Sequence, residues 1–318
     1  MITTTIALSV MTLAGGTERA PAQPQQPHRW AYCDQEAYIN GIQFRGGGMA
    51  GNGWDGSGQN STTIYFHIEN TTNDFSMGQR PAILAALEIW SDVVRINFVE
   101  IGVPNANRSI DFRFVTGNHC NIEPDECGDS DCPFDGQGGV LAHAGFPPGV
   151  GSQCVDPMEE SWAGNVHFDE AEFWEADDGN SGFSLALIAA HEVGHALGLT
   201  HDTGGGGPHI MRPSFNSADS FQIPSNSDRF HIGSGYAAGQ GSILPFEQGG
   251  IWVAPNWPFA QLGIQTAPFT TVGAAVSAVP PLTTGVPINI GAGSYPTPVT
   301  LNRPCTINAI DGTVTIGQ

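Results

Sequence analysis

His191-Glu192-Val193-Gly194-His195-Ala196-Leu197-Gly198-Leu199-Thr200-His201 is the stretch whose reading decides the fold. His191 and His195 stand four residues apart, so on a helix their imidazoles project from one face, one turn above the other. Neutral imidazole nitrogen is a good zinc ligand, and a catalytic zinc takes three protein ligands and keeps one position open. Glu192 falls beside that face, placed to take a proton from an attacking water. Gly198 can enter the left-handed conformation that ends a helix, so the chain can turn and bring His201 back as a third ligand. An ordinary buried helix would carry histidines without this spacing, and here three histidines, a glutamate and a glycine all keep it.

Outward from this stretch, Phe183 to Ala190 is apolar and made mostly of good helix formers, with Ser181 or Ser184 available as N-cap. Downstream comes Ile210-Met211-Arg212-Pro213. The zinc pattern followed by a methionine before x-Pro resembles the metzincin peptidases, in which Met211 would form the apolar floor of the site, the Met-turn. Four further segments, Phe114 to His119, Pro133-Phe134-Asp135-Gly136, Val140 to Ala144 and His167-Phe168-Asp169-Glu170, stand in the order found in matrixins, one branch of that group. The resemblance covers roughly Thr62 to Phe215.

It implies an α+β peptidase domain with a mixed twisted sheet, an active-site helix and a Met-turn. His191, His195 and His201 would hold a catalytic zinc, with Glu192 as general base. A second, structural zinc is implied on His119, His143 and His167. The family's aspartate for that site is replaced by Asn121, so Asp125, Asp129 or Asp131 must stand in, and Asp129 is chosen because Gly128-Asp129 echoes the family's wording. A calcium is implied on Asp135, Asp169 and Glu172 with the carbonyls of Gly136, Gly138 and Val140, six hard oxygens that suit calcium better than zinc. The segment Gly139 to Ala144, with Leu141 and Ala142, corresponds to a sheet edge that pairs with substrate backbone. Leu197 and Pro213 to Phe215 either border the specificity pocket or are plain core. Asp202 departs from the matrixin pattern.

The totals agree with an extracellular peptidase without selecting one. Ten basic residues, all arginine, face 31 acidic ones, for a formal charge of −21. Such a surface argues against nucleic acid and anionic membranes as partners; a protein or peptide substrate is what the resemblance implies. A short apolar run at Ile6 to Leu13 followed by Ala20-Pro21-Ala22 reads as a secretory signal peptide over 1–22, hence secretion. No later run is long enough for a membrane span. Six cysteines would then meet an oxidising compartment, with a local disulfide expected within Cys120 to Cys132. Cys33 is expected to be structural rather than a blocker of the metal, and a monomer is expected.

Residues 23–58 read as irregular, 59–238 as the peptidase domain and 239–250 as a linker. Strands are expected at Ile64 to Ile68, Ile96 to Ile101 and Ile110 to Val115, with a helix opening at Pro81 and an apolar stripe of Ile83, Leu84, Leu87 and Trp90. Beyond Phe215 no closing helix is expected, because Pro224 and several Ser and Asn residues interrupt the pattern. Residues 251–318 hold short apolar strands at Ile288 to Ile290, Val299 to Leu301, Thr306-Ile307 and Val314 to Ile316, preceded by a short helix within Thr271 to Val279. This resembles the start of a right-handed parallel β-helix, with a small β-sandwich as the alternative. A solenoid needs about three repeats, so the chain is expected to end as an incomplete solenoid or as a truncated product of a longer protein. The rival function is an extracellular carbohydrate- or surface-binding module carrying a degenerate peptidase domain.

Overall fold

The computed structural model describes residues 30–33, 38–39, 42–43, 47–56, 60–74, 79–117, 119, 134–148, 163–175, 182–203, 209–280, 283 and 285–318, the first three stretches as backbone. Residues 1–22, read from the sequence as a signal peptide, together with Asp129, the Cys120 to Cys132 segment and Cys154, lie outside them.

Three short strands come first: β1 (Trp30–Cys33), and a two-residue hairpin of β2 (Tyr38–Ile39) and β3 (Ile42–Gln43). Then β4 (Thr62–Ile68) leads into α1 (Arg80–Ser91), with Pro81 in its first turn, where a missing N–H costs nothing. Ile83, Leu87 and Trp90 line the buried face of α1, and Leu84 packs at its margin. β5 (Ile96–Glu100) and β6 (Ser109–Val115) follow, then β7 (Val140–Ala144) and β8 (Val166–Asp169). A small pair, β9 (Trp174–Glu175) and β10 (Phe183–Ser184), delivers the chain to α2 (Leu185–Ala196). β11 (Ser214–Asn216), α3 (Asn226–Gly235) and β12 (Ser242–Leu244) complete the first unit.

One sheet of eight strands in the order β11-β1-β7-β8-β6-β4-β5-β12 spans this unit. β8, β6, β4, β5 and β12 run parallel to one another, while β7 is antiparallel to β8, so the sheet is mixed as expected. Helices α1 and α2 lie against it. Nearly every side chain of α2 is buried, as its apolar sequence requires, and the Trp90 indole of α1 donates to the Ala190 carbonyl of α2 at 2.8 Å.

Three sequence expectations need correction. The stretch expected as a linker contributes β12 and the single turn α4 (Phe246–Gly249), because the Gly-rich spacing leaves Ser242 to Leu244 free to extend the sheet along β5. The segment expected to be irregular contributes β1, which lies inside the sheet between β11 and β7. A closing helix does exist: Pro224 sits just outside α3, and Ser225 and Asp228 form a capping box that starts it.

The tail forms a second core around Phe246, Ile251, Val253, Phe269, Val276, Ile288 and Ile290. β13 (Ile251–Val253), β14 (Val286–Tyr295) and β15 (Cys305–Ile316) make a three-stranded parallel sheet, with α5 (Val272–Ala278) capped by Thr271. Val299 to Leu301 is not a strand. Asn308 donates to Asn289 at 3.0 Å across the β14–β15 ladder. The two cores meet where Arg80 of α1 pairs with buried Glu100 and, at 2.7 Å, with Glu247 of α4. Cys305 is a free cysteine.

Candidate metal centres and the cleft

Ser184 caps α2 by accepting from the Leu187 amide at 3.3 Å, which settles the choice between the two serines. The helix then ends at Gly198, whose φ of 105° lies in the left-handed region where a side chain is strained. Helix ends leave carbonyls unsatisfied, and here they find partners. The Trp54 indole donates to Ala196 O at 2.8 Å, the Tyr236 hydroxyl to Leu197 O at 2.9 Å and the Ala50 amide to Gly198 O at 2.6 Å. Further along, the Gly47 amide donates to His201 O at 3.2 Å. The Thr200 amide donates to Gly48 O at 3.0 Å, so residues 47–50 strap the third-ligand loop in place.

That loop brings His201 back to the helix. The Nε2 atoms of His191 and His195 lie 2.9 Å apart, and those of His191 and His201 3.2 Å apart. Each helical histidine donates its Nδ1 proton to a carbonyl, Ile210 O at 2.6 Å for His191 and Leu199 O at 2.7 Å for His195. Those bonds leave the Nε2 lone pairs pointing at one another. Three converging lone pairs repel unless a cation sits among them, and tetrahedral zinc with nitrogen at 2.0–2.1 Å separates its ligands by about 3.3 Å. The set therefore fits the metal. Burial, reinforced by the neighbouring imidazoles, holds His191 well below the usual histidine range. Burial also pushes His201 down to about 4, so the ring stays neutral and able to ligate.

Met211 is buried against α2, next to Gly194. A β-carbon on Gly194 would run into the Met211 thioether and the Trp90 ring. We expect Gly194→Ala to lower the melting temperature, because overpacking costs about 1–3 kcal/mol against a helix-propensity gain of about 1 kcal/mol. Thermal unfolding of the two proteins tests this, and a raised melting temperature would contradict the packing. Asp202, the departure noted in the sequence, is buried and accepts from the Ser227 hydroxyl at 2.6 Å, tying the ligand loop to α3.

A second cluster joins His119, His143 and His167, the latter two directly opposite in the β7–β8 ladder. The Nε2 atoms of His119 and His143 lie 2.8 Å apart, and His119 Nδ1 lies 3.0 Å from Gly117 O. Burial and the two other imidazoles hold His143 well below its ordinary value. The proposed fourth ligand, Asp129, lies outside the described residues.

Asp135, Asp169 and Glu172 come together around the turn that precedes β7. Glu172 accepts from the Gly138 and Gly139 amides, and Asp135 from Val140 at 2.9 Å. Buried Asp169 has one oxygen bonded to the Ala171 amide and the other, Oδ2, without a hydrogen-bond partner. Burial, and after it the mutual repulsion of the carboxylates, raises the pKa values of Asp169 and Glu172. An orphaned buried oxygen among repelling carboxylates is what a hard cation relieves.

The cleft carries the feature that sequence reasoning missed. Strand β1 pairs parallel with β7, Tyr32 opposite Val140 and Cys33 opposite Ala142, and antiparallel with β11, Ala31 opposite Phe215. Phe215 in turn meets the His191 ring edge-on at 5.0 Å. The chain's own N-terminal backbone thus lies between β7 and β11, the strand whose Phe215 touches the first histidine cluster. Leu141 and Ala142 are fully buried, and Pro213 is half-buried. The only sequence signal for β1 was the aromatic run Trp30-Ala31-Tyr32 within a polar segment.

A helix with two histidines one turn apart, a third on the returning loop and a buried methionine packed on that helix, set on a mixed sheet, defines a domain of the metzincin kind. The chain belongs to the matrixin family, whose profile matches residues 57–237. It is 37% identical over 147 residues to karilysin of Tannerella forsythia, covering 46% of this chain and 27% of that protein. It is 36% identical over 166 residues to matrix metalloproteinase-18 of Xenopus laevis (51% and 30% covered). With the interstitial collagenase of Bos taurus it shares 34% identity over 186 residues (58% and 34%). The chain therefore spans only about a quarter to a third of the length of these curated relatives.

Proposed function

We propose that this chain is a secreted, zinc-dependent endopeptidase that hydrolyses peptide bonds in proteins. The observation that carries the reading is the convergence of His191, His195 and His201 beside Glu192. Zinc, when bound there, supplies Lewis acidity toward the scissile carbonyl and acidifies a water. Glu192, fully buried on the same helix, takes the proton of the attacking water and hands it to the leaving amine. The Nδ1 bonds of His191 and His195 to carbonyls keep both rings in the ligating tautomer. Leu141 and Ala142 on β7 and Pro213 before β11 border the substrate groove, which an extended peptide enters by pairing with the edge of β7.

His119, His143, His167 and Asp129 would hold a structural zinc, and Asp135, Asp169, Glu172 and the carbonyls of Gly136, Gly138 and Val140 a calcium. The family membership supports both. No described helix is long and apolar enough to cross a membrane, which agrees with secretion. The tail reads as the opening coils of a parallel β-helix, supported by its three parallel strands and the Asn289–Asn308 pair.

Because β1 lies along β7 in the place of a substrate, we read the structure as a latent form. The position of Cys33 opposite Ala142 favours this over the purely structural role expected from the sequence.

Metal analysis with casein hydrolysis tests the reading. Purified protein is expected to hold two zincs and to cut casein slowly, and faster once residues 1–46 are removed. His195→Ala is expected to lose one zinc and all hydrolysis, and His143→Ala one zinc and thermal stability. Folded protein with neither zinc nor hydrolysis would favour the binding module.

A further inference from the structure

Phe215 touches two groups of different character. The His191 imidazole meets its ring edge-on, centroids 5.0 Å apart, and the Arg212 guanidinium lies over the ring, with Cζ 4.8 Å from the centroid. Arg212 stands between Met211 and the β11 strand that lines the groove. Its side chain is largely withdrawn from solvent, with 20% of its surface exposed. Stacking occupies the face of the guanidinium and leaves its in-plane N–H groups to find acceptors. Asp219 Oδ2 lies 2.6 Å from Nη2, yet that oxygen already accepts the Asn216 amide at 2.6 Å. Both Nε and Nη2 are buried without a hydrogen bond of proper geometry. The ion pair balances the charge, but the donors are not satisfied.

We infer that Arg212 is a specificity-determining residue, selecting substrates whose side chain just after the scissile bond ends in a hydrogen-bond acceptor, glutamine or glutamate, over branched aliphatic ones. The inference rests on the peptidase reading and deepens it. A side chain entering beside His191 passes along Phe215 and reaches the guanidinium at its end. An amide or carboxylate oxygen there supplies the acceptor that Nε and Nη2 lack. A leucine at the same place keeps those donors buried and unbonded, and a site built to hydrogen-bond discriminates strongly against a group that cannot. If Arg212 and Asp219 merely clamp the turn after β11, no such selection follows.

The test is one mixture of peptides differing only at the residue after the scissile bond (Gln, Glu, Leu or Ala), cut by the zinc-loaded full-length chain. Ratios within one mixture do not depend on how much of the cleft is open. Glutamine and glutamate are expected to be preferred over leucine by roughly tenfold or more in kcat/KM. Arg212→Met is expected to reverse the ratio. Arg212→Lys, which keeps the charge but not the planar donors, is expected to retain the preference for glutamate and lose that for glutamine. A leucine preference in the unaltered protein, or ratios unmoved by either substitution, overturns the role of Arg212 alone. Zinc-loaded protein that cuts no peptide either with or without residues 1–46 overturns the peptidase reading, and this inference with it.

Discussion

Glu192→Gln is expected to lower kcat/KM for peptide hydrolysis by about 10²–10⁴, the usual worth of a positioned general base, while zinc content stays unchanged. Glutamine matches glutamate in shape, so the packing of α2 around this fully buried position is kept. What it loses is the ability to take a proton. The metal set is untouched, since His191 and His195 are oriented by Ile210 O and Leu199 O rather than by Glu192. Steady-state kinetics paired with metal analysis separates the roles. Near-parental turnover would remove Glu192 from the mechanism, and loss of zinc would make it structural.

Removing residues 1–46 is expected to raise kcat/KM on the order of tenfold or more. β1 pairs with both walls of the groove, so substrate binds only the fraction of molecules in which it has left, and apparent affinity falls by that fraction. The place of the cut matters. Starting the chain after Gly53 instead would delete the Ala50 amide bound to Gly198 O and the Gly48 carbonyl bound to the Thr200 amide. That second truncation is expected to loosen the His201 loop and lose zinc affinity. Equal activity of the full-length chain and the chain starting at Gly47 would show that β1 does not obstruct the groove.

The catalytic helix was legible because its chemistry is local. Histidines four apart share a helix face whatever the remainder of the chain does, and Gly198 marks the turn that returns His201. The helix at Pro81 and the strands ending at Ile68 and Val115 were legible for the same reason, their periodicity following from burial of one face. The helix α3 was missed because Pro224 was read as a breaker, although one position before an N-cap it obstructs nothing. Its capping box, Ser225 and Asp228, was present in the sequence and was the signal that could have found it.

By itself, then, the sequence determined the residues of both histidine clusters and the mixed α+β frame, which depend on spacing along one element or on motif order. Only the tertiary structure decided which carbonyls orient His191 and His195, that Asp202 ties the ligand loop to α3 through Ser227, and that Arg212 stacks on Phe215. It also placed β1 between β11 and β7 and β12 at the sheet edge. Each of these joins groups distant in sequence through hydrogen bonds or ring contacts, and no periodicity within a segment records which distant strand it will pair with.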